Sequence, residues 1–175
     1  MSPEIQAGCV QAARRALGPH AVVVKCGDLN TPGVLEVVGV IPAKFPASHS
    51  GIAIRGMAIL RREPSGWRTE LTAVREIKNE AGYIGIDYID DSSPFFGYWL
   101  VLSDTRSDGK KSCDLDLLDI EERDGSSEAA STEIAWNPAA FRYQEFTTNR
   151  DPEGFRAEIK SPAHRKPGMK LPTSR

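Results

Sequence analysis

One change of period governs what this chain can fold into. Between Pro3 and Leu17, the apolar residues Ile5, Cys9, Val10, Ala13 and Leu17 recur at helical spacing, which draws one apolar stripe along an α-helix. Ser2 stands where an N-cap is needed, Pro3 suits the first turn, and Gly18-Pro19 ends the helix. Beyond Gly18 the helical period disappears. β-Branched and aromatic runs replace it, separated by turn residues.

These runs predict strands over 21–26, 34–41, 51–62, 67–77, 95–103, 113–120, 132–136 and 141–146. A slip of phase near Gly56 marks a bulge in the third. In the fourth, Trp67, Thr69 and Leu71 alternate onto one face. Glu63-Pro64-Ser65-Gly66, Asp108-Gly109 and Asn137-Pro138-Ala139-Ala140 supply the turns. One helix followed by about eight hairpin-linked strands is an α+β, β-rich chain: an N-terminal helix packed on a largely antiparallel meander sheet or sandwich.

At 175 residues the chain has room for one sizeable core. A single globular domain over 1–159 is expected. The segment 160–175 holds Lys160, Arg165, Lys166, Lys170 and Arg175 and no acid, and reads as a basic, proline-containing, disordered tail. This leaves −7 for the rest of a chain whose formal net charge is −2. An acidic body argues against nucleic acid as a partner. No apolar run approaches the ~20 residues of a membrane-spanning helix. Met1-Ser2-Pro3-Glu4 lacks the basic start and apolar segment of a signal peptide. The expected compartment is extracytoplasmic if such a segment has been removed, and otherwise cytoplasmic.

Cys9, Cys26 and Cys113 are far apart, and no pair has zinc-ligand spacing. Three buried, reduced cysteines are expected in preference to one disulfide and a free thiol. His20, His49 and His164 sit at a helix end, in a serine-rich loop and in the tail. Only a Cys26–His49 pair would suggest a nucleophile, and no nucleophile elbow or phosphate loop accompanies it.

The chemically suggestive stretch is Asp28-Leu29-Asn30-Thr31-Pro32-Gly33-Val34-Leu35-Glu36. Asp28, Asn30 and Glu36 carry oxygens, and Gly33 allows a tight turn between them. Such oxygens suit a hard cation. Alternatively, Asp28 and Asn30 accept hydrogen bonds from nearby backbone in an ordinary hairpin loop. Asp28, Asn30, Gly33 and Glu36 fall in register with the Asp-x-Asn-x-Asp-Gly-x-x-Asp/Glu loop of FG-GAP and VCBS-type repeats, which this segment resembles. Pro32 stands at the middle acid. The resemblance implies calcium as ligand, with Asp28, Asn30 and Glu36 holding it, and an extracellular setting.

A second acidic cluster, Asp87, Asp90 and Asp91, could supply a carboxylate pair. Asp114, Asp116 and Asp119 alternate with apolar residues and belong to the outer face of a strand. Trp67, Tyr98, Trp99, Trp136, Phe141 and Tyr143 read as core. The functional expectation is a non-enzymatic binding or interaction module with a protein or small-ligand partner and a degenerate calcium loop. The alternatives are a small hydrolase-like enzyme built on Asp87, Asp90 and Asp91, and a structural homo-oligomeric subunit.

Overall fold

The computed structural model describes residues 1–44, 51–84, 95–105, 111–121, 131–149 and 156–159. Helix α1 runs Pro3–Leu17, as its signals predict. Ser2 caps it, its hydroxyl accepting the Ile5 N–H at 3.3 Å, and the Gly18 N–H closes the other end on the Arg14 carbonyl at 2.9 Å. Eleven strands follow among the described residues: β1 Val22–Gly27, β2 Glu36–Pro42, β3 Ile52–Glu63, β4 Gly66–Ala73, β5 Ile77–Asn79, β6 Gly82–Tyr83, β7 Phe95–Thr105, β8 Lys111–Glu121, β9 Ser131–Asn137, β10 Arg142–Asn149 and β11 Arg156–Ile159. Every pairing among them is antiparallel. The fold is α+β and β-rich.

Strand β3 organises the sheet. One edge pairs with β2, which in turn pairs with β1. The other edge takes β4 along Met57–Glu63 and β7 along Ile52–Ile54. The sheet therefore forks. One wing continues through β4, β5 and β6, the other through β7, β8, β9, β10 and β11. Both wings supply the main core: Val38, Met57, Ile59 and Leu71 from one side meet Leu100, Leu115, Ile134, Trp136 and Tyr143 from the other.

The fork lies at a bulge. Ile41 pairs with Gly56 but Pro42 pairs with Ile54, leaving Arg55 as the extra residue. The predicted phase slip near Gly56 is this feature. A second bulge overturns an expectation. Ile59 pairs with Leu71 and Leu60 with Thr69, so Glu70 is extra. Because a bulge re-aims the residues beyond it, Trp67 packs beneath α1 while Leu71 enters the main core, and the two are not on one face. Other departures are small. Bends at 74–76 split the predicted strand 67–77 into β4 and β5, and β11 pairs with β10 beyond the last predicted strand.

Helix α1 lies on the outer face of β2 and β3, through Cys9, Ala12 and Ala13. Small residues set this approach. A Cβ at Gly39 would stand 2.7 Å from the Cβ of Ala13, inside any normal contact. The contact is centred on the middle of the helix, so Ile5, at the start of the predicted stripe, is 41% exposed.

The cysteine expectation is corrected. Cys9 and Cys26 form a disulfide, and only Cys113 is a free thiol. The helix runs up to a short turn and β1 runs back beneath it, which brings the second turn of α1 beside the end of β1. No helix in the described residues is long and apolar enough to cross a membrane.

Candidate functional site

The loop between β1 and β2 is where the sequence points, and the structure folds its residues inward. Leu29 is buried in the main core. Asp28 stays exposed, its Oδ2 accepting the Gly33 N–H at 2.8 Å. That closes the turn, with Gly33 at φ 75, a conformation glycine adopts without steric cost. Asn30 reaches across to the wing of β7–β11. Its Oδ1 accepts the Cys113 N–H at 3.1 Å, and its Nδ2 donates to the Tyr143 hydroxyl. Glu36 is fully buried. Its Oε2 accepts the N–H groups of Leu29 at 3.2 Å and Asn30 at 3.0 Å.

The other Glu36 oxygen faces a cation supplied by the protein. Arg61 Nη2 lies 2.9 Å from Glu36 Oε1 and 3.2 Å from Thr31 Oγ1, and Arg61 Nε lies 2.9 Å from Glu70 Oε1. Arg61 is 4% exposed and Glu70 3%. The guanidinium carbon sits 4.6 Å from the Trp136 ring centre and 4.5 Å from that of Phe141, in cation–π range. Phe141 meets Trp136 edge-on at 5.2 Å and has φ 53, the one positive φ outside glycine among the described residues. It lies in the turn before β10, half exposed, and not on a strand as predicted. Two carboxylates, two aromatic rings and a threonine hydroxyl thus surround one buried guanidinium.

Tyr143 joins this cluster to the rest of the sheet. Its hydroxyl receives Asn30, its carbonyl accepts Asn79 Nδ2 at 2.7 Å, and its ring meets Trp136 edge-on at 5.2 Å. Burial pushes the Tyr143 hydroxyl well above its ordinary pKa, and lifts the Cys113 thiol to about 11. Burial also raises the Glu70 carboxyl, against the pull of Arg68 and Arg61.

The structure therefore brings Asn30 and Glu36 together at the end of the core, with Asp28 on the loop surface beside them. Among the described residues, no three of His, Cys, Asp and Glu converge as a metal-holding group. Asp87, Asp90 and Asp91 lie outside the described residues, as do His49, the Asp108-Gly109 turn and 160–175. The Cys26–His49 reading lapses because Cys26 is in the disulfide.

Arg61, Glu70 and Tyr143 were not singled out as polar partners in the sequence. A signal existed for Arg61. Met57, Ile59 and Arg61 share a face of β3, and Glu36, Val38 and Val40 share a face of β2. Two opposite charges on the inward faces of neighbouring strands form a buried pair. Since Asn30 ties the β1–β2 loop to β8 and β10, Asn30→Ala should cost about 1–3 kcal/mol by leaving the Cys113 N–H buried and unpaired. Urea unfolding checks this, and a midpoint equal to the parent would show that the link is dispensable.

A second feature lies on the outer face of β7, β8 and β9. There, a hollow of about 200 Å³ is lined by Val101, Ser103, Asp114, Asp116, Glu133 and Ala135. Asp114 and Asp116 occupy the outer face assigned to them by alternation, since Cys113, Leu115 and Leu117 point into the core. The side chain of Asp119 is outside the described set. No family model, curated protein or solved structure matches the chain.

Proposed function

We propose that this chain is a non-catalytic binding module whose contact surface is the hollow over β7, β8 and β9. The observation that carries this reading is the lining itself: an almost wholly apolar hollow with Val101 and Ala135, on a strand face that also carries Asp114, Asp116 and Glu133. Such a lining suits the stem and head of a lysine or arginine side chain. Its size selects a protein ligand. Small-molecule sites usually offer ~300–1,000 Å³, whereas about 200 Å³ accepts one long side chain. The Cys9–Cys26 disulfide supports an oxidising, extracytoplasmic setting.

The test is a titration with a lysine- and arginine-containing peptide, followed by amide chemical shifts. Shifts confined to β7, β8 and β9 are expected. Glu133→Lys, on an exposed position, should remove them without changing the melting temperature. No shifts in the parent, or equal shifts in the variant, would overturn the reading.

The β1–β2 loop acts, in this proposal, as a hydrogen-bonded clasp in which the Arg61 guanidinium stands where a calcium loop would hold its ion. A cation would have to displace Arg61 or the Leu29 and Asn30 amides from Glu36. Melting in excess calcium and in EDTA should give superimposable curves. A calcium-dependent rise, which binding at one hundred times the dissociation constant would produce at about 2.7 kcal/mol, would restore Asp28, Asn30 and Glu36 as ligands.

A further inference from the structure

We propose that the Cys9–Cys26 disulfide is a redox latch on helix α1, and that a dithiol reductant frees the helix while the forked sheet stays folded. Two observations carry this. First, the main core contains no residue of α1: its members run from Leu29 to Tyr143. The helix belongs only to the smaller cluster on the outer face of β2 and β3, with Val37, Ala58 and Leu60. Removing it leaves the interior between the wings intact.

Second, little besides the disulfide fastens it. The buried residues of α1 are Cys9, Ala12 and Ala13, which have little side chain to bury; Leu17 and, from the sheet, Trp67 pack there only partly buried, and Ile5 is 41% exposed. Among the described residues, the side-chain hydrogen bond of this segment is its own cap, Ser2 to Ile5, and no ion pair joins α1 to the sheet. Gly39 and Ala13 allow close approach but contribute small contact areas. A helix of 15 residues is marginal in water by itself. Its attachment therefore depends on the covalent link.

The exchange has a defined entry. Cys9 is fully buried, whereas Cys26 is half-buried on β1, which pairs with β2 alone among the described strands. A reductant thiolate attacks the Cys26 Sγ. The Sγ–Sγ bond breaks, and Cys9 leaves as a thiolate that takes up a proton. The second reductant thiol then attacks the mixed disulfide, releases Cys26 to be protonated in turn, and closes the reductant's own disulfide. Two electrons pass from the dithiol to the protein, which gains two protons.

The experiment is hydrogen–deuterium exchange of the full chain, air-oxidised and after dithiothreitol, with intact mass measured on both. Reduction should add 2 Da. It should raise exchange across 3–17 at least about tenfold, as expected for local opening, with β8 and β9 unchanged. Trypsin should then cut faster after Arg14 and Arg15, which are exposed helix residues. Cys9→Ala should behave as the reduced parent whether or not dithiothreitol is present, and Cys113→Ala should retain the response. No mass change, undiminished protection of 3–17 after reduction, or loss of protection in β8 and β9 together with the helix would each overturn the latch.

Discussion

Arg61→Met is expected to be among the most damaging single changes in this domain, lowering stability at neutral pH by about 3–5 kcal/mol. Glu36 and Glu70 are 0% and 3% exposed and share this one guanidinium. Methionine keeps the length and apolar stem but leaves Glu36 buried without a counter-ion and Glu70 with Arg68 alone, at 2.8 Å. Loss of one partner from a buried ion pair is costly because the remaining charge has neither water nor counter-ion. For a chain of this size the melting temperature should fall by on the order of 10 °C. Arg61→Lys should recover little, since an ammonium cannot span Glu36 and Glu70 while stacking between Trp136 and Phe141.

The pH dependence distinguishes this cause from simple loss of packing. Burial already holds the Glu70 pKa above its ordinary 4.5, despite Arg68 and Arg61. A carboxyl raised in the folded state contributes stability that is complete below its unfolded pKa and is lost as pH rises through the folded value. Without Arg61 the folded value rises further. The Arg61→Met deficit should therefore shrink as pH falls from 7 towards 4.5, and adding Glu70→Gln should flatten that dependence. Urea titrations of the parent, single and double variants at several pH values provide the check. A deficit equal at all pH values would assign it to packing alone.

What could be read in advance follows how local each signal is. The limits of α1 were legible because Ser2, Pro3 and Gly18 act within one turn of the backbone. Strands β2, β3 and β7 were legible because β-branched and aromatic runs favour a pleated, buried surface whatever their neighbours. The Cys9–Cys26 bond was not, because it depends on how α1 and β1 lie against each other. The Glu70 bulge was also hidden. One extra residue on β4 moves Leu71 to the opposite face from Trp67, and nothing in Thr69-Glu70-Leu71 distinguishes that register from plain alternation. β11 is held by backbone pairing to β10, which leaves no apolar pattern to read. Asn30 and Glu36 stood out only as oxygen-bearing candidates for a cation; beyond the local Leu29 and Asn30 amides, the groups they meet, Arg61, Cys113 and Tyr143, lie 25 to 113 residues along the chain.

That distance makes Tyr143 the other position where a large loss is expected. It is fully buried on β10 and connects three separate elements: Asn30 of the β1–β2 loop through its hydroxyl, Asn79 of β5 through its carbonyl, and Trp136 of β9 through its ring. Of these, Asn79 lies on the opposite wing of the fork, and Asn30 lies on the β1–β2 side of β3. Tyr143→Ala removes the ring from the surface where the wings meet, and should cost about 3–5 kcal/mol through lost burial and the cavity left behind. Tyr143→Phe keeps the ring and removes only the acceptor for Asn30 Nδ2, so about 1–2 kcal/mol is expected. The backbone bond to Asn79 survives in both. If the hydroxyl acts through Asn30, then Asn30→Ala combined with Tyr143→Phe should cost less than the two changes added, because groups sharing one bond are coupled. Strict additivity in urea unfolding would mean that the two side chains stabilise the domain independently, and the bond from Asn30 to Tyr143 would then not be what ties the β1–β2 loop to β10.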